Sequence, residues 1–474
     1  MNSLRQQWPA RLELTRLERT HRELSMSYAI GGLALDKVYS YPDVDFIELE
    51  SRFGTEFMQR LYFHIAALEA IPLVSFQPTE ISFGRFARFA TKRFEALWRT
   101  VLVHCGGEWR FVNRLPGFRG PRFADPLARA NHQRITMPAH EIESLSFNGG
   151  GKDSLVAAHL LAGGDIQFAT YAYSIPEYGA ADEQHRLIDR LVKRTASLRH
   201  HRLEISDNFA EAGVPKLLAD RGMREPICAE TPTSIFGVLP IALQHGYRQL
   251  IVAHERSADE ANLRWPGTGE EINHQWGKSF AAERLVNGYL QSELIANVSY
   301  FSILKPVYDV LIFNLLRQDP QSVACTHSCN IRKPWCGHCA KCAYVWLNFM
   351  AYLPLQIFRE MFPENLFDDP RTQPVFRQLM GIEAHKPFEC VGEVDEARLA
   401  FELCRAKGLT GAAMDTYGNN VPAPDVPRLS DRYLAVAAEY GAIPPAVAER
   451  IIPQMTTAAE EAKRYITGLA SHRS

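Results

Sequence analysis

The chain has 474 residues, 46% of them hydrophobic, which is enough for about two or three globular domains. Its 52 Lys and Arg residues against 54 Asp and Glu give a net charge of -2, which argues against a broad nucleic-acid-binding surface. No hydrophobic run is long enough to cross a bilayer, and residues 1–22 are too charged for a signal peptide. We therefore expect a cytoplasmic protein.

Residues 1–140 are predicted to form an N-terminal α+β domain that contributes to substrate binding. Strand-like alternation covers residues 24–48, and helical patterns cover residues 50–69 and 89–103. A segment rich in Gly, Pro and Arg follows at residues 116–126 and predicts a loop or linker.

From residue 141 strands and helices alternate, which is typical of a parallel sheet with helices on both faces. We predict strands at 142–147, 166–173, 202–205 and 249–253, and helices near 154–162, 180–196, 233–244 and 279–294. The predicted fold class is therefore α/β with a doubly wound parallel sheet, in a domain that spans residues 141–352. Residues 353–474 are predicted to form a helical C-terminal region with Pro-rich breaks.

The segment 147–154, Phe-Asn-Gly-Gly-Gly-Lys-Asp-Ser, joins the first strand of this domain to its first helix. Its three glycines let the backbone turn sharply and point N–H groups at a phosphate, and the positive end of the helix adds to the attraction. Lys152 and Ser154 supply a charge and a hydroxyl on what we expect to be an exposed turn. The segment is not a Walker A loop, because Ser146 and Asp153 occupy positions that require Gly and Ser or Thr. An ordinary glycine-rich turn is the alternative.

A second polar segment, residues 254–260, follows the predicted strand 249–253. Ligands of doubly wound sheets bind at the carboxyl ends of the strands, so we expect this segment to line the same site as residues 147–154. A solvated loop is the alternative interpretation.

Four cysteines at C-x6-C-x2-C-x2-C spacing predict a structural zinc site, since four thiolates leave no open coordination position. The predicted ligands are Cys329, Cys336, Cys339 and Cys342. Cys325 is an alternative first ligand, and an iron–sulfur cluster is the minority alternative. The remaining cysteines are scattered and predict packing residues: Cys105, Cys228, Cys390 and Cys404.

The segment 147–154 resembles the PP-loop of the ATP pyrophosphatases, whose pattern is Ser-Gly-Gly-x-Asp-Ser, with Gly149 in place of the leading Ser. Such enzymes cleave ATP between its α- and β-phosphates and adenylate a substrate oxygen. The resemblance implies that Lys152 neutralises the pyrophosphate and that Asp153 orients Mg²⁺ or holds the loop. The implied ATP-binding residues are Gly149, Gly150, Gly151, Lys152, Asp153 and Ser154.

A PP-loop followed by a four-cysteine knuckle resembles 7-cyano-7-deazaguanine synthase, which adenylates a carboxylate and passes it to ammonia. That enzyme lacks the N-terminal domain and the long C-terminal extension predicted here, so a deazaguanine carboxylate-activating enzyme is our alternative function. A tRNA-directed protein that reuses the fold is disfavoured by the balanced charge.

The chain more closely resembles the UDP-N-acetylmuramoyl-L-alanyl-L-glutamate epimerase family, and the resemblance extends through much of its length. It rests on residues 63–66, 107–113, 147–154, 178–179, 184–185, 255–259, 273–276, 278–279, 304–306, 335–337, 341–342, 365–370 and 385–393. The family's activity implies ATP-dependent inversion of the terminal L-glutamate of a UDP-linked muramoyl dipeptide, a step in peptidoglycan precursor synthesis. ATP, Mg²⁺ and structural Zn²⁺ are the implied cofactors.

Inversion requires removal of a proton beside a carboxylate, which is unfavourable while that carboxylate is ionised. Adenylation makes a neutral mixed anhydride and so makes the adjacent C–H more acidic. The proton-transfer candidates are His254, Glu255, Asp259, His274, Lys278 and Cys390. We assign catalysis to Lys152, Asp153, Glu255, Asp259, His274 and Lys278, although Glu255 and Asp259 could instead pair with Arg256, and His274 could be a core histidine. The pair that acts on opposite faces of the α-carbon is left open.

The substrate's diphosphate and carboxylates require a basic pocket. The N-terminal candidates are Arg85, Arg88, Lys92, Arg93, Arg114, Arg119 and Arg122. A solvated helix face is the alternative explanation for the first four of these residues.

Overall fold

The computed structural model describes residues 10–129, 132–223, 225–358 and 361–471. Its strands are β1 Arg11–Arg19, β2 Glu23–Ile30, β3 Leu33–Ser40, β4 Glu80–Ser82, β5 Arg122–Phe123, β6 Ser144–Phe147, β7 Phe168–Tyr173, β8 His200–Asp207, β9 Gln249–Val252, β10 Leu263–Arg264, β11 Glu271–Ile272 and β12 Ser299–Ser302.

The α-helices surround these strands and dominate the C-terminal region. They are α1 Phe46–Phe53, α2 Thr55–Glu69, α3 Lys92–Cys105, α4 Gly107–Val112, α5 Lys152–Gly163, α6 Ala181–Val192, α7 Val214–Asp220, α8 Glu230–Gly237, α9 Leu239–His245, α10 Phe280–Tyr289, α11 Asp309–Leu315, α12 Pro320–Val323, α13 Ala340–Tyr352, α14 Gln373–Leu379, α15 Val394–Ala406, α16 Ala412–Asn420, α17 Val426–Tyr433 and α18 Pro445–Ser471. In the described ranges no helix combines the length and the apolar character needed to span a membrane.

Five parallel strands form the centre of the main sheet in the order β12-β9-β6-β7-β8. The chain enters at β6, runs outward through β7 and β8, and then crosses to β9 and β12 on the other side. Adjacent residues of β9 face different cores, with Leu250 in the first hydrophobic cluster and Ile251 in the second. The predicted α/β class with a largely parallel sheet is confirmed. The reversal of strand order between β6 and β9 leaves a crevice at their carboxyl ends.

The N-terminal strands continue this sheet. β3 pairs antiparallel with β8, with Tyr39 opposite Ile205, and β2 and β1 follow as an antiparallel meander. β4 and β5 then add parallel to β1, so the sheet has ten strands within the described residues. The first nine residues of the predicted N-terminal domain lie outside the described residues. The predicted division near residue 140 therefore falls between segments that share one set of sheet hydrogen bonds.

Several element boundaries differ from the sequence predictions. The predicted helix 233–244 is two helices, α8 and α9, and Pro240 lies in the first turn of the second, where its missing N–H is tolerated. The predicted helix 279–294 is α10 followed by a π-helical turn, Leu290–Leu294. The short buried strand β12 was not predicted, and it carries the chain to α11 at the edge that holds the candidate site.

Candidate active site

The loop at residues 148–151 connects β6 to α5 at the crevice. Gly150 adopts a positive φ of 79°, and its N–H donates to Asn148 Oδ1 at 2.9 Å. The Gly149 N–H donates to Ser154 Oγ at 3.2 Å. Helix α5 begins directly after this loop with no side-chain cap. The first N–H groups of an uncapped helix are an anion-binding arrangement.

His327 lies against this loop. Its backbone N–H donates to the Gly150 carbonyl at 2.8 Å, and a Cβ placed on Gly150 would lie 2.2 Å from His327 Nε2. The His327 side chain is buried, and neither ring nitrogen has a hydrogen-bond partner among the described residues. The Asn148 Nδ2 atom is also buried without a described partner. Because buried polar atoms are normally paired, these groups fit a polar ligand held at the start of α5.

The structure corrects the prediction that Lys152 lies on an exposed, phosphate-facing turn. Lys152 is 1% exposed, and its Nζ lies 2.5 Å from Asp153 Oδ1 and 2.5 Å from Asp309 Oδ1. Burial lowers the pKa of Lys152, but the negative charges of Asp153, Asp309 and Glu255 outweigh it and raise that pKa. Lys152 therefore neutralises protein carboxylates in this state.

We call Asp153, Glu255 and Asp309 the carboxylate cluster. Asp153 follows β6, Glu255 follows β9, and Asp309 begins α11 after β12. These three strands are neighbours in the sheet and parallel, so their carboxyl ends bring the three side chains to one edge. Tyr344 donates its hydroxyl to Asp309 Oδ2 at 2.9 Å. The polar segment 254–260 thus lies beside the 148–151 loop.

Glu255 is buried and ionised. Burial raises the pKa of its carboxyl group, but the positive charges of Lys152, Lys278 and Lys341 lower that pKa to about 2. The neighbouring His254 imidazole is neutral, because burial and the charges of Lys278 and Lys305 hold its pKa well below the ordinary value. His254 is therefore no proton donor in this state.

Asp259 is occupied by structural contacts. Its Oδ1 accepts from Lys305 Nζ at 3.0 Å and from the Phe280 N–H at 2.8 Å, while its Oδ2 accepts from the Tyr440 hydroxyl at 2.7 Å. Lys305 also donates to the Glu255 carbonyl at 2.8 Å. These bonds join the segment after β9 to α10 and to the C-terminal region. Asp259 therefore stabilises the packing of these segments.

A second group, which we call the thiol cluster, consists of Cys390, Lys278, His274 and Glu108. Lys278 Nζ donates to Cys390 Sγ at 2.9 Å. His274 hydrogen-bonds both Cys390 and Glu108. Lys341 donates to the Cys390 backbone carbonyl at 2.5 Å. Cys390 is therefore held by polar contacts, which favour the proton-transfer candidate over the packing alternative.

The charges of the thiol cluster favour a thiolate. Burial raises the pKa of Cys390, but Lys278, the His274 hydrogen bond and Lys341 lower it further than burial raises it. Burial lowers the pKa of His274, but its bonds to Cys390 and Glu108 raise that pKa to about 10. Lys278 and Lys341 also lower the pKa of Glu255, so the thiol cluster and the carboxylate cluster share the same cations.

The four predicted cysteine ligands converge. The sulfurs of Cys329, Cys336, Cys339 and Cys342 all lie within 4.8 Å of one another, with Sγ–Sγ distances of 3.7 Å between Cys329 and Cys339 and 3.8 Å between Cys336 and Cys342. With Zn–S bonds of about 2.3 Å, a regular tetrahedron has edges of about 3.8 Å, so the set fits a single ion such as zinc. Cys325 is not in the group, which favours Cys329 as the first ligand.

Two of the basic residues that were candidates for substrate binding in the N-terminal region form ion pairs at the surface. Arg93 pairs with Glu293 at 2.5 Å, and Arg122 pairs with Glu80; the two arginine side chains are 71% and 70% exposed. These contacts favour the solvated-helix-face alternative for Arg93, and Arg122 is likewise paired at the surface.

Sequence reasoning overlooked the partners that organise the site. Glu108 and Lys341 occur in segments that support the family resemblance, and nothing else in the sequence indicated that they belong to the site. Asp309 and His327 belong to no local motif, because each approaches the 148–151 loop through the tertiary fold.

Two family models match the chain. The model described as the MurL N-terminal domain matches residues 233–303, and the one described as the MurL C-terminal domain matches residues 323–413. These ranges contain His254, Glu255, His274, Lys278, the four metal-site cysteines and Cys390.

Curated relatives carry the same description. A protein of Xanthomonas oryzae pv. oryzae, named UDP-N-acetyl-alpha-D-muramoyl-L-alanyl-L-glutamate epimerase, is 29% identical over 371 residues, 75% of this chain and 78% of the relative. Proteins of the same name from Salinispora tropica and a Micromonospora species are each 29% identical, and the matches cover 55% and 57% of those relatives. These matches support the MurL family for this chain, and its curated relatives are named UDP-N-acetyl-alpha-D-muramoyl-L-alanyl-L-glutamate epimerases.

Proposed function

We propose that this chain inverts the terminal L-glutamate of UDP-N-acetylmuramoyl-L-alanyl-L-glutamate in peptidoglycan precursor synthesis, and that it uses ATP to do so. The observation that carries the proposal is the adjacency of two kinds of site. The uncapped, glycine-rich start of α5 suits a phosphate, and the neighbouring thiol cluster suits proton transfer. Lys278 and Lys341 act on both Glu255 and Cys390, which supports a single reaction centre.

The first half of the proposed reaction takes place at the 148–151 loop. ATP, consumed as a co-substrate, supplies the adenylyl group that converts the glutamate carboxylate into an acyl-adenylate. Gly149, Gly150, Gly151 and Ser154 supply the N–H and hydroxyl groups of a PP-loop. Asp153, 23% exposed at its side chain, is the carboxylate of the cluster best placed to meet Mg²⁺. Lys152 holds Asp153 and Asp309 in place.

The second half moves a proton at the glutamate α-carbon. With the carboxylate converted to the mixed anhydride, the charge that develops on the carbonyl oxygen is stabilised by the ammonium groups of Lys278 and Lys341. Glu255 keeps these cations in position, because all three charges share a buried region. Return of a proton to the opposite face gives the D-glutamate centre, and water then releases AMP.

The test combines nucleotide and isotope analysis. Purified protein, Mg²⁺, ATP and the UDP-linked L-Ala-L-Glu substrate in D₂O should yield AMP and pyrophosphate, one deuterium at the glutamate α-carbon, and D-glutamate after hydrolysis. A parallel reaction with a deazaguanine carboxylate and ammonium is the control for the synthase alternative. Deuterium incorporation at the normal rate without ATP would contradict the acyl-adenylate, and AMP formation only with the deazaguanine would contradict the epimerase function.

A further inference from the structure

Inversion of a carbon centre by proton transfer uses a base on one face and an acid on the other. The thiol cluster contains a base: Cys390 has an ammonium group 2.9 Å from its sulfur and a hydrogen bond to His274, which Glu108 in turn orients. A thiol that is hydrogen-bonded to an imidazole, with a carboxylate orienting that imidazole, is a common arrangement for activating the thiol. The residue that complements Cys390 should carry a proton and lie near the same substrate.

Cys228 is the candidate for this residue, because it lies close enough to Cys390 for the charge of Cys390 to raise its pKa. It is exposed and lies two residues before α8. The start of α8 packs on the turn that carries Lys278, because a Cβ on Gly277 would lie 3.0 Å from Pro232 Cδ. The segment is fixed from its other side by the Ile227 N–H, which donates to Ser75 Oγ at 2.7 Å.

The surroundings of the two thiols shift their pKa values in opposite directions. Although Cys228 is open to solvent, the protein atoms around it disfavour a charged thiolate and raise its pKa, and the negative charges of Glu230, Cys390 and Glu108 add to this. Cations and a hydrogen bond instead lower the pKa of Cys390. The groups that act on Cys390 are Lys278, His274, Lys341 and Glu389, with Cys228 and Tyr178 at longer range. Separation of two pKa values in one site is the pattern of an acid–base pair.

We propose that Cys390 and Cys228 are the proton-transfer pair, with Cys390 as the thiolate base and Cys228 as the acid on the opposite face of the glutamate α-carbon. This assignment rests on the function proposed above. The Cys390 thiolate takes the α-proton of the activated L-glutamate, and the C–H electron pair enters the enolate. Cys228 gives its S–H proton to the other face, which leaves a Cys390 thiol and a Cys228 thiolate. Proton exchange with water restores the starting state.

His274, Glu389 and Cys390 also place their ligand atoms within 4.8 Å of one another, which is close enough for a metal ion. The contacts argue against that use, because the Lys278 ammonium group lies 2.9 Å from the Cys390 sulfur and would repel a cation there. A second metal ion per chain, lost in Cys390→Ser, would overturn the thiolate assignment.

The first experiment does not depend on ATP or substrate. Thiolate absorbance at 240 nm is titrated for the full metal-loaded chain and for Cys390→Ser, and the difference reports Cys390 alone. We expect a midpoint below the ordinary thiol value of about 8.5 and a rise of about one pH unit or more in Lys278→Met. A midpoint at or above the ordinary value in the parent protein would overturn the proposal, even if the epimerase function holds.

The second experiment separates the two half-reactions in D₂O. Cys390→Ser should keep the single-turnover burst of pyrophosphate within about threefold and lose deuterium incorporation by about 100-fold or more. Cys228→Ser should incorporate deuterium into the L-substrate without inversion, because the base still acts while the opposite acid is missing. Normal inversion by either variant, loss of the burst in Cys390→Ser, or substrate covalently bound to Cys390 would overturn the assignment. Absence of AMP in the parent protein would instead refute the proposed function and leave the 240 nm result to stand.

Discussion

Lys152 Nζ lies 2.5 Å from Asp309 Oδ1, and both side chains are almost fully buried. The bond joins the first residue of α5 to the first residue of α11, so it ties together segments that leave β6 and β12. Asp153 and Tyr344 complete the arrangement by bonding the Lys152 ammonium and the Asp309 carboxylate. Lys152, which the loop pattern predicts to contact a phosphate, therefore also stabilises the packing of α5 against α11.

Lys152→Met should lower the free energy of unfolding by about 3–5 kcal/mol, because it leaves the Asp309 carboxylate buried without its cation. The double variant Lys152→Met/Asp309→Asn should lose less than the sum of the single variants, since no unpaired buried charge remains. Denaturant unfolding of the four proteins measures both quantities. Strictly additive losses would show that the two side chains do not stabilise each other.

Gly150→Ala should abolish pyrophosphate release by the folded protein. The new methyl group would lie 2.2 Å from His327 Nε2, and Gly150 has a positive φ that alanine disfavours. Gly418→Ala in α16 is the matched control, because no described atom lies within 4 Å of its new Cβ. It should keep the parent rate and raise the melting temperature slightly. A normal rate in Gly150→Ala would exclude this loop from nucleotide binding.

The bond between His274 and Glu108 predicts a pH-dependent stability. The pKa of folded His274 is raised from the ordinary 6.5 to about 10. The bond therefore stabilises the fold fully below pH 6.5, and that contribution is lost as the pH rises through about 10. The difference in melting temperature between the parent and Glu108→Gln should be largest near pH 6 and shrink toward pH 10.

Glu449→Gln, at an exposed position on α18, is the control for this titration, and its difference from the parent should not vary over the same range. A Glu108→Gln difference that stays constant or grows with pH would contradict a protonated His274.

The cysteine site should contain one zinc ion per chain, and Cys339→Ser should reduce both metal content and melting temperature. Cys339 is a predicted ligand, and it also caps α13 by accepting from the Cys342 N–H. Cys325→Ser is the matched control and should retain the metal, since Cys325 lies outside the four-sulfur group. Elemental analysis of freshly purified protein measures the metal content per chain. A chain without zinc or iron would refute the metal site.

The central sheet could be predicted because its signals are local. Buried strands such as 249–252 are short apolar runs, and each is separated from the next by a helical pattern. The attachment of β3 to β8 could not be predicted, since it joins Tyr39 to a strand that begins more than a hundred residues later. Register between distant strands depends on the whole fold.

The site was predictable only where the chain concentrates its polar residues. The 148–151 loop and Glu255 lie where the sequence placed them, and four of the nine cysteines converge as their spacing indicates. The environment of each side chain was not predictable, because burial and partners come from distant segments. Thus Lys152 is buried, Asp259 accepts from Lys305 and Tyr440, and Cys390 accepts from Lys278.

The segment that carries the four-sulfur group reaches both halves of the active site. Two residues before Cys329, His327 bonds the Gly150 carbonyl; one residue before Cys342, Lys341 bonds the Cys390 carbonyl. An ion that folds this segment would therefore set the nucleotide end and the proton-transfer end at the same moment. In the proposed reaction, metal loss would therefore stop nucleotide use and inversion together.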